Sequence, residues 1–304
     1  MSIHLPRLTP ETVDQLSQGL AVCKCNNWSV LKASGPKLRE YLQGQITQDI
    51  GKLTNTQGIH SCILTPQGKA VSELYIFEGH NDELILLTPA AYAETTVARL
   101  RQFSLGYQLR IGVIETLGIC SLQGANAAEI LGDLDLSEPD QGWLSTSQKQ
   151  HDDSFAMVMS ENPQAYWIIS SDKQIEAIID RYHTTNEDEL EAMRIMRGLP
   201  DFGVEWDAST HPLNANLIEF DGVSFDKGCY VGQEVTSRMH WRSGIKKKLY
   251  RVIINGTPET LPCPIRSTAN IGELKSAAID QTGQCYGIAL LPIEVFESGS
   301  TLSL

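Results

Sequence analysis

Apolar and polar positions along the chain fall into short alternating runs and short helical stripes. Thr9-Pro10-Glu11 opens a helix, with Thr9 as cap and Pro10 at the first helical position, and Gly19 ends it. Trp28 to Ala33 predicts a strand. Gly35-Pro36 introduces a second helix carrying Leu38, Tyr41 and Leu42, closed by Gly44. Ser61 to Leu64, the turn Thr65-Pro66-Gln67-Gly68 and Lys69 to Phe77 predict a β-hairpin, because Pro and Gly occupy the second and fourth turn positions. A strand at Leu84 to Leu87, a helix over Ala90 to Phe103 and a strand over Tyr107 to Glu115 follow. Hairpins mixed with helices in this order predict an α+β protein and not a doubly wound parallel sheet.

A second cycle begins with a strand at Ile119 to Leu122 and a helix at Gly124 to Leu131. Residues 133–153, acidic and rich in turn formers, read as a surface connection. Phe155 to Met159 pairs with Tyr166 to Ile169, and Asp172 caps a helix running to Tyr182. Asp188 to Arg197 reads as a helix with acids in its first turn, Arg194 and Arg197 near its end and Gly198 beyond. Leu199 to Asp226 has little periodicity, and so long an irregular stretch in a compact protein is more often functional than idle. Residues 241–304 read as short strands broken by Gly, Pro and Asn, the pattern of a small β-barrel.

Composition narrows the function classes. The 304 residues carry 24 Lys plus Arg against 37 Asp plus Glu, a formal charge of −13. That balance argues against a nucleic-acid-coating protein but leaves a local basic face open. Hydrophobic content of 41% and charged content of 20% exclude a disordered chain. The best apolar run, Leu84 to Ala93, is broken by Thr88 and Pro89 and is far short of the roughly 18 residues a membrane span needs. Without a signal peptide at Met1-Ser-Ile-His-Leu-Pro, the expected location is cytoplasmic. The seven cysteines are scattered and odd in number, with no C-x-x-C pair, which excludes a disulfide scaffold, a zinc ribbon and a four-cysteine cluster cradle. Cys23 and Cys25 read as packing residues. His60, His80, His151, His183 and His211 lack metal-ligand spacing, so no permanent metal is expected.

The most specific segment is Lys227-Gly-Cys-Tyr-Val-Gly-Gln-Glu234. Two glycines flank one thiol and let the backbone turn tightly. A helix beginning near Gln233, with Lys227 and Arg238 nearby, is the kind of setting that favours thiolate at Cys229.

The run from Gly222 to Arg238 (GVSFDKGCYVGQEVTSR) closely resembles the signature of the YgfZ family. These are folate-binding proteins related to the T-protein, or aminomethyltransferase, of the glycine cleavage system, and the mitochondrial late-acting iron–sulfur assembly factors belong to the same group. Gly35 to Asp49, Leu64 to Phe77, Met193 to Gly203 and the stretch from Pro212 to Leu217 match in order. The resemblance implies a GcvT-like fold: two intertwined, ferredoxin-like α+β domains and a C-terminal barrel around a folate-sized opening. The implied divisions are 1–25 plus 116–240, 26–115 and 241–304. It implies tetrahydrofolate or a derivative as cofactor, pterin end buried and glutamate tail toward solvent, with Arg194, Arg197 or Arg238 as the basic contact. Trp28 matches a folate-linked tryptophan of bacterial members, and a second such position falls at about Leu190. Tyr230, Gln233 and Glu234, within the motif, are candidate contacts beside Cys229. The implied role is support of [4Fe–4S] enzymes, including tRNA-modifying ones, through Cys229, with folate and iron–sulfur client or assembly proteins as partners.

Two departures bear on catalysis. Where the aminomethyltransferases carry an aspartate pair, this chain has Ser72 and Glu73, and where relatives often carry a glutamate two residues before the helix-ending glycine it has Met196. These departures argue against transfer of the glycine-cleavage type, and a true aminomethyltransferase is the alternative reading, discriminated by Ser72-Glu73. A third reading uses the basic stretch 238–251, whose Arg238, Arg242, Lys246, Lys247, Lys248 and Arg251 accompany His240, Trp241 and Tyr250. It is either a contact for RNA, tRNA included, or for an acidic protein, or a solvated connector into the last domain.

Overall fold

The computed structural model describes residues 3–149, 152–182, 184–266, 270–297 and 304, so His151 and His183 lie outside the described residues. Helix α1 (Pro10–Gln18) starts where Thr9 Oγ1 accepts the Thr12 backbone N–H. Strands β1 (Ala21–Lys24) and β2 (Trp28–Ser34), helix α2 (Leu38–Gln43), strands β3 (Ile59–Leu64), β4 (Ala70–Glu78) and β5 (Leu84–Pro89), helix α3 (Ala93–Gln102) and strand β6 (Arg110–Val113) follow. The second cycle holds β7 (Leu117–Gln123), α4 (Glu129–Asp133), β8 (Thr146–Gln148), β9 (Phe155–Glu161), β10 (Gln164–Ser171), α5 (Asp172–Arg181) and α6 (Glu187–Arg197). A short α7 (Gln233–Arg238), strands β11 (Lys247–Ile254), β12 (Cys263–Arg266), β13 (Asn270–Ile279) and β14 (Cys285–Pro292) and a final turn α8 (Ile293–Glu297) close the chain.

These strands make three antiparallel sheets, so the α+β class holds. One orders β1-β7-β10-β9-β8 and a second β3-β4-β5-β2-β6. Alternation gives each five-stranded sheet two faces. Leu74, Ile76 and Ile63 of the second sheet pack under α2 and α3, while Cys120, Leu122 and Tyr166 of the first pack under α4 and α5. The opposite faces meet each other: Trp28, Tyr75, Phe77 and Leu87 join Ile119, Phe155, Met157 and Ile169 in one buried cluster. A cavity opens within this inter-sheet layer.

Several expectations change. The last sheet, β11-β14-β13-β12, is a four-stranded open sheet among the described residues and shows no closure into a barrel. Strand β1 escapes the hydrophobic pattern because it is only four residues long. Ser171, not Asp172, caps α5, accepting the Gln174 N–H. Helix α6 begins one residue early because Asn186 and Glu189 form a reciprocal capping box. The acidic segment 133–153 is not merely a surface connection. It contains β8 and buries Leu136 and Leu144, and its backbone crosses to the second sheet's loop through Thr146 N to Thr56 O at 2.9 Å and Gly58 N to Leu144 O at 2.8 Å. The irregular stretch after α6 is packed, not loose: Phe202, Trp206, Leu213 and Leu217 are buried against α6 and the third sheet. No helix among the described residues is long and apolar enough to cross a membrane.

Candidate functional site

Pairing register decides which side chains reach the inter-sheet layer. Across β3 and β4, His60 sits opposite Tyr75 and Cys62 opposite Glu73, so these four share one face. Ser72, opposite Ile63, points to the other face and hydrogen-bonds Thr88 Oγ1 at 2.6 Å. Glu73 is therefore the member of the Ser72-Glu73 pair that reaches the cavity. On the facing sheet, Ser121 and Gln123 of β7 lie opposite Trp167 and Ala165 of β10. His60, Glu73, Tyr75, Ser121, Gln123, Ala165 and Trp167 line one cavity, with about 770 Å3 of empty space including its open mouth.

One wall is aromatic. Trp28 stacks on Tyr75 with ring centroids 5.0 Å apart and meets Trp167 edge-on at 5.3 Å. Trp143, supplied by the acidic connection, sits edge-on to Tyr75 and to His60. Helix α6 and the residues just after it form the polar wall. Glu73 Oε1 is 2.7 Å from His60 Nε2, and its Oε2 accepts the Phe202 backbone N–H at 3.2 Å. His60 Nδ1 lies 2.9 Å from the Phe220 carbonyl oxygen, so both ring nitrogens face oxygens. Glu73 and His60 are 3% and 4% exposed.

Arg194 holds the neighbouring acids. Its Nη1 and Nη2 donate to Glu205 at 2.9 and 2.8 Å, Nε donates to Glu191 at 2.9 Å, and the remaining N–H groups go to Glu191 and the Leu199 carbonyl. All five guanidinium donors are thereby engaged. Asp201 stands 3.4 Å from Arg194 Nε; burial pushes its carboxyl up to about 8, against the pull of Arg194. Two polar atoms in this cavity are left over. Arg197 Nη2 and Gln123 Oε1 are buried with no hydrogen-bond partner among the described residues.

The sequence-derived candidates separate into two groups. Trp28, Leu190 and Arg194 line the cavity, whereas Lys227, Cys229, Tyr230, Gln233, Glu234 and Arg238 do not. The second group forms a loop docked on the β3–β4 turn. Gly232 sits at φ +84, and a Cβ there would lie 2.6 Å from the Thr65 carbonyl oxygen and 2.8 Å from Leu64 Cβ, so this approach requires glycine. Lys227 Nζ donates to the Ile46 and Gln48 carbonyls, both at 2.8 Å, and lies 5.1 Å over the Tyr230 ring; burial pulls the ammonium down to about 8. Arg238 pairs with Glu234 at 2.9 Å. The two cations expected beside the thiol thus have their hydrogen-bond partners at the Ile46 and Gln48 carbonyls and at Glu234. Cys229 itself is exposed. No group of His, Cys, Asp and Glu among the described residues is arranged to hold a metal ion.

Sequence reasoning missed His60, Trp143, Trp167 and Asp201. His60 has no metal-ligand spacing to draw attention to it, and its position opposite Tyr75 depends on a β-bulge between Ile63 and Leu64, since the register of the Thr65–Gly68 turn continued unbroken would place it opposite Leu74. Met196, where relatives carry a glutamate, packs instead against the buried cluster under the third sheet.

Among curated proteins, the chain is 27% identical over 231 residues to the tRNA-modifying protein YgfZ of Hamiltonella defensa, covering 74% of this chain and 67% of that one. It is 25% identical over 248 residues to the tRNA-modifying protein YgfZ of Klebsiella pneumoniae, covering 80% and 74%. With the protein of that name from Colwellia psychrerythraea the figures are 27% over 227 residues, 74% and 69%. No family profile matches the chain. Among solved structures, glycine cleavage system aminomethyltransferase T from Bartonella henselae superposes with a TM-score of 0.81 at 16% identity, over 95% of this chain and 84% of that one. The chain thus resembles the tRNA-modifying YgfZ proteins in sequence over most of its length and has the fold of a glycine cleavage T protein.

Proposed function

We propose that this protein binds tetrahydrofolate, or a derivative, in the cavity between its first two sheets and acts in tRNA modification by supporting iron–sulfur enzymes. The carrying observation is the cavity itself: aromatic rings on one wall, buried carboxyls on the other, and an orphaned donor and acceptor at Arg197 and Gln123. A pterin fits those features, since its flat ring matches indole faces and its N–H groups match the unpaired acceptor of Gln123. When bound, the folate supplies one-carbon chemistry. The chain's own part is to exclude water with Trp28, Trp143 and Trp167, to orient the ring with Gln123, and to keep a proton on Asp201. The names of its relatives, tRNA-modifying proteins, support the cellular role.

We also read the three sheets as the cores of three domains, 1–25 plus 116–240, 26–115 and 241–304. The pairing of β1 with β7, which joins the chain start to the second cycle, supports the discontinuous first domain.

Titrating the protein with tetrahydrofolate while following tryptophan fluorescence and heat tests the folate reading. A saturable, one-to-one quench is expected, weakened about 10- to 100-fold in Trp28→Leu by loss of the stacking face. Absence of any binding would overturn it.

Cys229 is the group through which clients would be met. Its exposure suits exchange with a partner, whereas Cys23, Cys25, Cys62, Cys120 and Cys285 are buried and burial pushes every one of their thiols up, Cys23 to about 11. Iodoacetamide at neutral pH should therefore alkylate Cys229 at least about tenfold faster than any other cysteine, read by peptide mass spectrometry. Equal labelling would remove the thiol from the proposal. A tRNA contact through 238–251 draws support from Arg242, Lys246 and Lys247, all exposed, and from Trp241, 71% exposed beside the His240–Phe225 stack.

A further inference from the structure

Three arginines are candidates for the basic contact to an anionic ligand, and their surroundings differ. Arg194 has spent all its donors on Glu191, Glu205 and Leu199. Arg238 is exposed, away from the cavity, and paired with Glu234. Arg197, one turn after Arg194 on α6, lines the cavity, makes no hydrogen bond or ion pair among the described residues, and keeps Nη2 buried and bare. Burial alone pulls its guanidinium down to about 10, since no carboxylate compensates it. Gly198 follows at φ +74 as the left-handed cap of α6, so the helix ends here and fixes the arginine at its last residue.

A guanidinium nitrogen buried without a partner or counter-ion is costly, and native proteins retain one chiefly where something else supplies the missing contact. We propose that Arg197 is the anion receptor of the cavity and takes a carboxylate of the ligand's glutamate end, while Gln123 Oε1 accepts an N–H from the same ligand. This rests on the folate reading, because tetrahydrofolate is what brings both a carboxylate and ring N–H groups to one cavity. The two neighbouring arginines then serve different acids: Arg194 neutralises the protein's own, and Arg197 is reserved for the ligand's. A neutral ring carbonyl would satisfy the Nη2 hydrogen-bonding capacity but not the charge, which is why the carboxylate is the better match.

The test compares tetrahydrofolate with 6-methyltetrahydropterin, which has the same ring and no glutamate, by isothermal titration against wild-type protein, Arg197→Met and Arg197→Gln. Each variant's denaturation midpoint is measured alongside. The expected result is a loss of about 10- to 100-fold in tetrahydrofolate affinity in both variants, no change for the tail-less pterin, and an unchanged or raised midpoint. Unchanged tetrahydrofolate affinity would overturn the assignment. Equal losses for both ligands would overturn it too, by placing Arg197 on the ring or in the wall. If wild-type protein binds neither pterin, the folate reading has failed and this inference falls with it, a pattern distinct from loss confined to the variants.

Discussion

Arg194→Met should cost about 3–5 kcal/mol of stability, the range found when one partner of a buried ion pair is removed. The reason lies in what the guanidinium leaves behind. Glu205 has a fully buried side chain and Asp201 a nearly buried one, and Arg194 is the cation that faces both. Against the effect of burial, Glu205 above all holds the guanidinium well above even its ordinary range. Methionine fills similar volume and leaves Glu205 with only the Asp201 backbone N–H, 2.8 Å away, as a donor. Arg194→Lys should recover little, because an ammonium offers three donors from one point where Glu205, Glu191 and Leu199 are met by a planar fork. Urea denaturation followed by circular dichroism measures both. Adding Glu205→Gln to Arg194→Met should regain part of the loss, since it removes the stranded charge. A midpoint within error of wild type would show that the acids are solvated and the cluster is not a structural unit.

How far this site is legible from sequence depends on which physical signal carries each part. Local chemistry is readable: the Thr65–Gly68 turn, the Thr9 cap and the glycine-bracketed loop ahead of α7 all depend on residues within a few positions of one another. The cavity depends on register and on sheet-to-sheet facing. Nothing near Trp143 signals that an acidic, turn-rich segment carries an aromatic to the second sheet. Glu73 reads from sequence only as a displaced aspartate, and its placement beside His60 requires knowing which face of β4 turns inward. The density of Gly, Lys and Cys in the cysteine motif is legible, but the contacts that dock its loop are not: Lys227 reaches back to the carbonyls of Ile46 and Gln48, about 180 positions earlier in the chain. Asp201 offers no signal, because its altered acidity comes from burial by a segment without periodicity.

Tetrahydrofolate affinity should fall as pH rises through about 8, approaching tenfold per unit above that point, and Asp201→Asn should flatten the profile. Burial keeps the Asp201 carboxyl protonated up to about 8, opposed by Arg194 and assisted by the nearby Glu205, Glu73 and Glu191. Below that value the group is an O–H donor on the cavity wall; above it the group is an anion facing a ligand that is itself anionic. Asparagine donates from its amide at every pH, so it keeps the contact and loses the titration. The same shift works against the fold. Between the ordinary aspartate range and about pH 8, the unfolded chain has released this proton and the folded one retains it, so stability declines as pH rises across that window. Asp201→Asn should accordingly be more stable than wild type near neutrality. Lys227, pulled down to about 8 by burial, has the opposite sign: above that value the folded chain has released a proton the unfolded chain keeps, so its contribution improves as pH rises. Because Lys227 lies outside the cavity, a pH dependence of binding that survives Asp201→Asn would move the titrating group away from Asp201, and a flat wild-type profile between pH 6.5 and 9.5 would take Asp201 out of ligand recognition altogether.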